Sequence, residues 1–255
     1  MHNREEAGRG AGEPVALWRR RPPAGDVEPG AMLTTRFSPK SPVTESYRVL
    51  RTNLQFLGLD KPLRSVVIAS SVPNEGKSLT TANLGIAVAQ AGSRVILVDA
   101  DLRKPSLHRF FDLGHEVGLT TVLAGEATPE EALQDTHVPN LRFLASGPVP
   151  PNPAELLGSP RMAAAAEQLG AACDMIIYDT PPVEAVTDAA VLSTLADGVV
   201  LVVRSGAAAY NLAQRAKEAL EKVKARVLGV VLDDVPPNGE GAYYYQYHGY
   251  YGRGY

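Results

Sequence analysis

Cysteine is nearly absent: Cys173 is the single one in 255 residues. That excludes a disulfide framework and a multi-cysteine metal site within one chain, and it suits a reducing compartment. Long hydrophobic runs are missing as well. The longest, such as Gly198-Val-Val-Leu-Val-Val203, fall far short of the roughly 18 residues that a membrane span requires. Met1 to Gly12 is polar and Gly-rich, without the charged-then-apolar layout of a secretory signal. Nor is there an excess of one charge. Against 28 acidic residues stand 25 basic ones, a net −3 that argues against a general nucleic-acid binder. These absences predict a cytoplasmic protein, and 45% hydrophobic residues supply a core.

What is present falls into three stretches. Residues 1–42 hold eleven Gly or Pro and little periodicity, so they read as a flexible extension whose Arg19-Arg20-Arg21 run is a solvated basic patch. Residues 43–235 read as one domain. In it, β-branched runs at 66–70, 95–99, 141–145, 175–179, 199–204 and 227–232 alternate with helical patterns. The helices are expected at 77–91, 129–134, 160–170, 188–196 and 212–224. This alternation predicts an α/β fold with a mostly parallel sheet and helices on both faces. Residues 236–255 read as a flexible tail holding Tyr243, Tyr244, Tyr245, Tyr247, Tyr250, Tyr251 and Tyr255. Glycines interrupt that tail and no apolar face alternates along it, so it is not an ordinary strand.

Chemistry concentrates at three strand ends. Ser71-Val-Pro-Asn74-Glu75-Gly76-Lys77-Ser78 joins the first strand to the first helix and reads as a P-loop, with Ser71 in place of the usual first Gly. In such a loop, backbone N–H groups and a helix N-terminus face phosphates. The Lys77 ammonium reaches the β and γ oxygens, and the Ser78 hydroxyl is placed for Mg²⁺. Candidate nucleotide contacts are Ser71, Asn74, Glu75, Gly76, Lys77, Ser78 and Leu79. The second strand ends in Asp99-Ala-Asp101-Leu-Arg103, and another ends in Asp179-Thr-Pro-Pro182, which resembles a Walker B aspartate. Carboxylates at the C-terminal ends of parallel strands sit on the ligand-binding edge of the sheet. His108, His115 and His137 lack metal-ligand spacing and read as surface residues.

Taken together, these residues resemble the bacterial tyrosine kinases of capsule and exopolysaccharide assembly, a P-loop NTPase family. The resemblance spans residues 43–255. It rests on the P-loop, on Asp99-Ala-Asp101-Leu-Arg103-Lys-Pro, on Asp179-Thr-Pro-Pro and on the tyrosine tail. Glu45-Ser-Tyr-Arg48-Val-Leu-Arg51 also matches the family's Glu-x-x-Arg-x-x-Arg segment, and Pro151-Asn-Pro-Ala-Glu155-Leu-Leu157 is similar to a family segment. Two departures stand out. Asn74 replaces a Gly of the loop, and Asn tolerates left-handed backbone angles. Asp233 replaces an Asn near where the resemblance places adenine, and a carboxylate cannot donate as an amide does.

The resemblance implies an ATP- and Mg²⁺-dependent protein-tyrosine autokinase whose substrate is its own tail, reached from the neighbouring subunit. It implies Lys77, Asp99, Asp101, Asp179 and Arg103 as catalytic residues. Ser78, Asp101 and Asp179 are on the metal side, Asp99 orients and accepts the tyrosine proton, a task that Asp101 could share, and Arg103 anchors phosphate or a neighbouring chain. Glu45, Arg48 and Arg51 would join subunits in a ring; their spacing alone also allows an exposed intrahelical ion pair. A separate membrane adaptor of the polysaccharide co-polymerase type and a tyrosine phosphatase are the implied partners, with the kinase recruited to the inner membrane face. Two other readings stay open: a partitioning or division ATPase, whose signature lysine is replaced here by Val72, and a non-catalytic nucleotide-dependent scaffold.

Overall fold

The computed structural model describes residues 29–206 and 210–236. After a 3₁₀ turn at Pro29–Met32 come α1 (Thr34–Phe37), α2 (Pro42–Leu57), β1 (Ser65–Ser70), α3 (Lys77–Gln90) and β2 (Val95–Asp99). Short elements follow: α4 (His108–Phe111), α5 (Leu119–Ala124), α6 (Pro129–Ala132), β3 (Leu133–Asp135), β4 (Leu141–Leu144) and α7 (Pro153–Leu157). The chain continues through α8 (Pro160–Ala172), β5 (Met175–Asp179), α9 (Asp188–Ser193), β6 (Gly198–Arg204), α10 (Tyr210–Lys222) and β7 (Val227–Asp233).

The seven strands form one sheet in the order β3-β4-β2-β5-β1-β6-β7. Every pairing is parallel except β3 with β4. Alternate residues of each central strand face opposite ways, so two cores form, one on either side. Val66 and Ile68 join Leu84, Leu97 and Ile177 under α2 and α3. Val67 and Ala69 join Met162, Leu169, Ile176 and Leu220 under α8, α9 and α10. Burial on both faces is why these strands read as continuous apolar runs.

Local chemistry sets the helix boundaries. The Ser41 hydroxyl accepts the Thr44 N–H at 3.1 Å and Pro42 takes the first helical position, which starts α2. Ser159 and Pro160 repeat that arrangement at α8. Thr128 and Glu131 form a reciprocal capping box at α6.

Two expectations need correction. The extension expected to run to residue 42 is structured from Pro29 on. Leu33 is fully buried beneath α3, the Thr35 N–H donates to Asn83 Oδ1 at 3.1 Å, and Gln90 donates to the Thr35 carbonyl. Gly and Pro density was outweighed there by tertiary anchoring. The helix expected at 129–134 stops at Ala132, because Leu133–Asp135 pair with β4 as an antiparallel edge. Residues 1–28 and the tyrosine-bearing tail lie outside the described residues.

Candidate phosphate site

The site lies where β1, β2 and β5 end. Between β1 and α3 the chain turns through two left-handed residues, Asn74 at φ 66° and Gly76 at φ 86°. Asn at the first of these keeps the loop shape that glycine would give. At Gly76 the Asp233 carboxylate, arriving from the end of β7, fills the space that a Cβ would need. Glu75 is buried and closes the loop from within. Its Oε2 accepts the Val72 N–H at 2.9 Å, and its Oε1 accepts the Arg204 N–H at 3.4 Å. Gly76 then hands over to α3, whose first turn presents Lys77, Ser78 and Leu79.

Asp179, at the end of β5, gathers that first turn. It is fully buried, and it accepts Lys77 Nζ at 2.6 Å, the Ser78 hydroxyl at 2.6 Å and the Thr81 hydroxyl at 3.2 Å. Lys77 itself is buried, so this is a desolvated ion pair. The parallel register sets Asp99 of β2 directly beside Asp179. Burial, then the charge of Asp179, pushes the Asp99 carboxyl up to about 8.

Asp99 is fully enclosed. Its Oδ2 accepts the N–H groups of Ser106 and Leu107 at 3.1 and 3.0 Å, and its Oδ1 accepts that of Asp101 at 3.3 Å. It therefore anchors the turn after β2. Asp101 is 9% exposed and accepts the N–H groups of Arg103 and Lys104. Arg103 is also placed differently from expectation: its guanidinium grips the buried carboxylate of Asp188 at 2.9 and 3.0 Å. The Ser106 hydroxyl lies 3.3 Å from that of Ser78, which links the turn to the P-loop helix.

Lys77, Ser78, Asp99, Asp101 and Asp179 are thus assembled at one sheet edge, with the P-loop residues Ser71, Asn74, Glu75 and Gly76 above them. Tyr47, Thr81, Ser106 and Asp188 were missed. Tyr47, on α2, is buried against α3; burial raises its phenol to about 12 and the nearby Asp233 charge adds to the rise. No motif marks these residues, because each acts through a contact distant in sequence.

The expected subunit-contact residues lie on α2, away from this set in the chain. Glu45 and Arg48 pair within the helix at 3.0 Å, while Arg51 donates to the Ala87 carbonyl of α3 at 3.1 Å. His137 and His115 are exposed, and His115 stacks on the half-buried His108 at 4.4 Å. A cavity of about 480 Å³ beside Arg64, Glu167 and Tyr178 includes none of the phosphate-site residues.

A nucleotide with Mg²⁺ fits this residue set. The Ser71 hydroxyl is buried without a protein partner, and the helix N-terminus, Lys77 and the loop's left-handed bends form an anion cradle. Ser78, Asp101 and Asp179 supply hard oxygen atoms. Among the described residues no cluster of three or more His, Cys, Asp or Glu side chains forms a metal cage. Mg²⁺ needs none, since it keeps waters and takes one or two carboxylates with phosphate oxygens.

Comparison with known proteins agrees with this chemistry. The ParA family model described as NUBPL iron-transfer P-loop NTPase matches residues 63–233. The tyrosine-protein kinase YwqD of Bacillus subtilis (strain 168) is 47% identical over 214 residues, covering 84% of this chain and 88% of that protein. The chimerical protein CapA2B2 superposes with a TM-score of 0.78 at 39% identity, covering 81% of this chain and 91% of the other. The kinase domain of Escherichia coli tyrosine kinase ETK gives a TM-score of 0.78 at 29% identity, covering 87% and 85%.

Proposed function

The chain belongs to the bacterial tyrosine kinases, built on the ParA-like P-loop NTPase fold, and from that premise we propose that it is an ATP-dependent autokinase acting on its own C-terminal tyrosines. The observation that supports this most directly is the convergence of Lys77, Ser78 and Thr81 on the buried Asp179, beside the carboxylate of Asp99.

Phosphoryl transfer passes through a loose transition state, so positioning and charge neutralisation dominate. Lys77 leaves Asp179 to meet the β and γ phosphates. Ser78, Asp179 and Asp101 would hold Mg²⁺ directly or through water, and the ion would supply positive charge against the phosphate oxygens. A tyrosine oxygen bonds to the γ-phosphorus as the β–γ bridging bond breaks and ADP departs. The phenolic proton passes late to a carboxylate. Asp101 takes this role in preference to Asp99, because Asp99 is enclosed by backbone N–H groups.

The substrates are Tyr243, Tyr244, Tyr245, Tyr247, Tyr250, Tyr251 and Tyr255. A flexible chain of about twenty residues has an r.m.s. span of about 25 Å, the scale on which an adjacent subunit's site would be reached. Ring-like self-association uses Glu45 and Arg48, whose side chains are 44% and 37% exposed, while Arg51 fastens α2 to α3. Each phosphotyrosine adds about −1.5 to −2 charges, so modified tails repel and loosen the ring. No described helix is long and apolar enough to cross a membrane. In this reading a membrane adaptor of the polysaccharide co-polymerase type recruits the kinase to the inner membrane face, a tyrosine phosphatase resets it, and the cycle regulates capsule or exopolysaccharide synthesis.

The test is intact-mass spectrometry after Mg²⁺-ATP, with a Lys77→Met control and phosphotyrosine mapping. A ladder of phosphate additions on the tail, absent in the control, establishes the autokinase. Absence of additions even with an adaptor's cytoplasmic segment present would leave a nucleotide-dependent scaffold instead.

A further inference from the structure

Asp188 opens α9, and its carboxylate is fully buried. One guanidinium takes both oxygens: Arg103 Nε donates to Oδ2 at 2.9 Å and Nη2 to Oδ1 at 3.0 Å. A two-pronged bond of this kind fixes orientation as well as distance. Arg103 lies two residues beyond Asp101 in the turn after β2. Asp188 lies beyond Asp179, at the far end of the loop after β5.

Other hydrogen bonds give the first turn its shape. Asp101 accepts the N–H groups of Arg103 and Lys104, and Asp99 accepts those of Ser106 and Leu107. Those bonds are internal to the turn. The strands below are joined where the Ala100 N–H meets the Asp179 carbonyl at 2.8 Å. Above that level, the Arg103–Asp188 fork spans the two loops. A buried carboxylate without a partner is strongly unfavourable, so Asp188 holds Arg103 firmly. The anchored end is in α9, and the turn that carries Asp101 is what the anchor restrains.

We propose that Asp188 is a positioning residue: through Arg103 it sets the Asp101 carboxylate at a fixed place relative to Asp179, so that both face one divalent cation. The assignment rests on the reading of Asp101 and Asp179 as the metal-side carboxylates. It makes Arg103 a tether rather than a phosphate contact.

The test is binding of a fluorescent N-methylanthraniloyl-ADP probe to the full chain, titrated with Mg²⁺, which requires no phosphoryl transfer. Wild type is compared with Asp188→Asn, Arg103→Lys and the double variant Asp188→Asn/Arg103→Gln. The double variant leaves no lone buried charge, and its urea midpoint checks the fold. Loss of a group that orients a metal ligand weakens metal affinity by about 10–100-fold. The Mg²⁺ concentration for half-maximal effect is therefore expected to rise at least tenfold in Asp188→Asn and in the double variant. Arg103→Lys keeps the charge without the fork and falls between. Probe affinity in EDTA stays unchanged, because the P-loop and Lys77 are untouched. An unshifted Mg²⁺ midpoint in a folded double variant overturns the tether while leaving the metal reading intact; so does an equal loss with and without Mg²⁺. Probe binding by wild type that ignores Mg²⁺ overturns the metal reading and the tether with it.

Discussion

Replacing Lys77 tests more than catalysis, because the lysine neutralises the interior of the site. Its ammonium lies 2.6 Å from Asp179, with side-chain exposures of 9% and 0%. Removing one partner of a buried pair costs about 3–5 kcal/mol, since the other charge stays desolvated. For Lys77→Met, with a urea m-value of about 2 kcal/mol per molar, the unfolding midpoint falls by roughly 1.5–2.5 M. In the double variant Lys77→Met/Asp179→Asn the stranded charge is gone, so its loss should be smaller than the two single losses added, by up to about 3 kcal/mol. The pH dependence gives a second readout. Burial and Asp179 hold the Asp99 carboxyl up to about 8, and Lys77 opposes them. A carboxyl raised in the folded state keeps a proton that the unfolded chain has lost, so stability falls as pH rises above about 4 and levels off past the folded value. Without Lys77 the folded value rises further, and the falling limb extends beyond pH 8 with a slope of at most about 1.4 kcal/mol per pH unit. Urea unfolding followed by circular dichroism at several pH values measures both effects. Single losses that add to within about 0.5 kcal/mol would refute the coupling, and an unchanged alkaline limb would refute the charge argument.

Smaller perturbations test the frame. Gly85→Ala places a Cβ 2.6 Å from Leu97 Cδ2 in a filled core, and about 1–3 kcal/mol of overpacking exceeds the helix-propensity gain of about 1 kcal/mol. A lower melting temperature is expected; a higher one would mean that Leu97 moves aside freely. Ser41→Ala removes the α2 cap and should lower stability by about 1 kcal/mol, read from urea melts. Burial works to raise the Asp197 carboxyl, but donors from Arg64, Lys61 and Ser65 hold it below its ordinary value. Its contribution is present above about pH 4 and lost as pH falls further, so Asp197→Asn should flatten the acid limb of the stability curve.

Legibility followed the range of the interactions. The P-loop was readable because strand, loop and helix start are contiguous, and α3 ends at Gln90, one residue from the expected end. Asp99 and Asp179 were readable because each closes an apolar run, and Asp101 because it follows two residues after the first of them. β3 was not: three residues become a strand only because β4 is there to pair with them. The ordering of Leu33 and Thr35 depends on Asn83 and Gln90, 48 and 55 residues away from Thr35. The fate of Arg103 depends on a carboxylate 85 residues downstream. Asp188 follows Thr187 ahead of an apolar run, which locally signals a helix start and nothing more.

The same contrast explains why the site's roles divide as they do. Three aspartates with similar local surroundings acquire three environments. Asp179 meets a cation and two hydroxyls, Asp99 meets backbone N–H groups and a neighbouring carboxylate, and Asp101 retains some solvent. A carboxylate enclosed by backbone N–H donors is suited to holding a turn, and one that keeps some exposure is suited to facing a cation. Strand register produces this division, because Asp99 and Asp179 are paired while Asp101 stands beyond the end of β2. Crowding two carboxylates at one level of a sheet opposes folding. It persists because Lys77 offsets the charge within the core, while Asp188 and Arg103 neutralise each other at the rim. The turn that carries the outermost carboxylate is therefore tied to α9 by an ion pair whose acidic partner lies 85 residues downstream of Arg103.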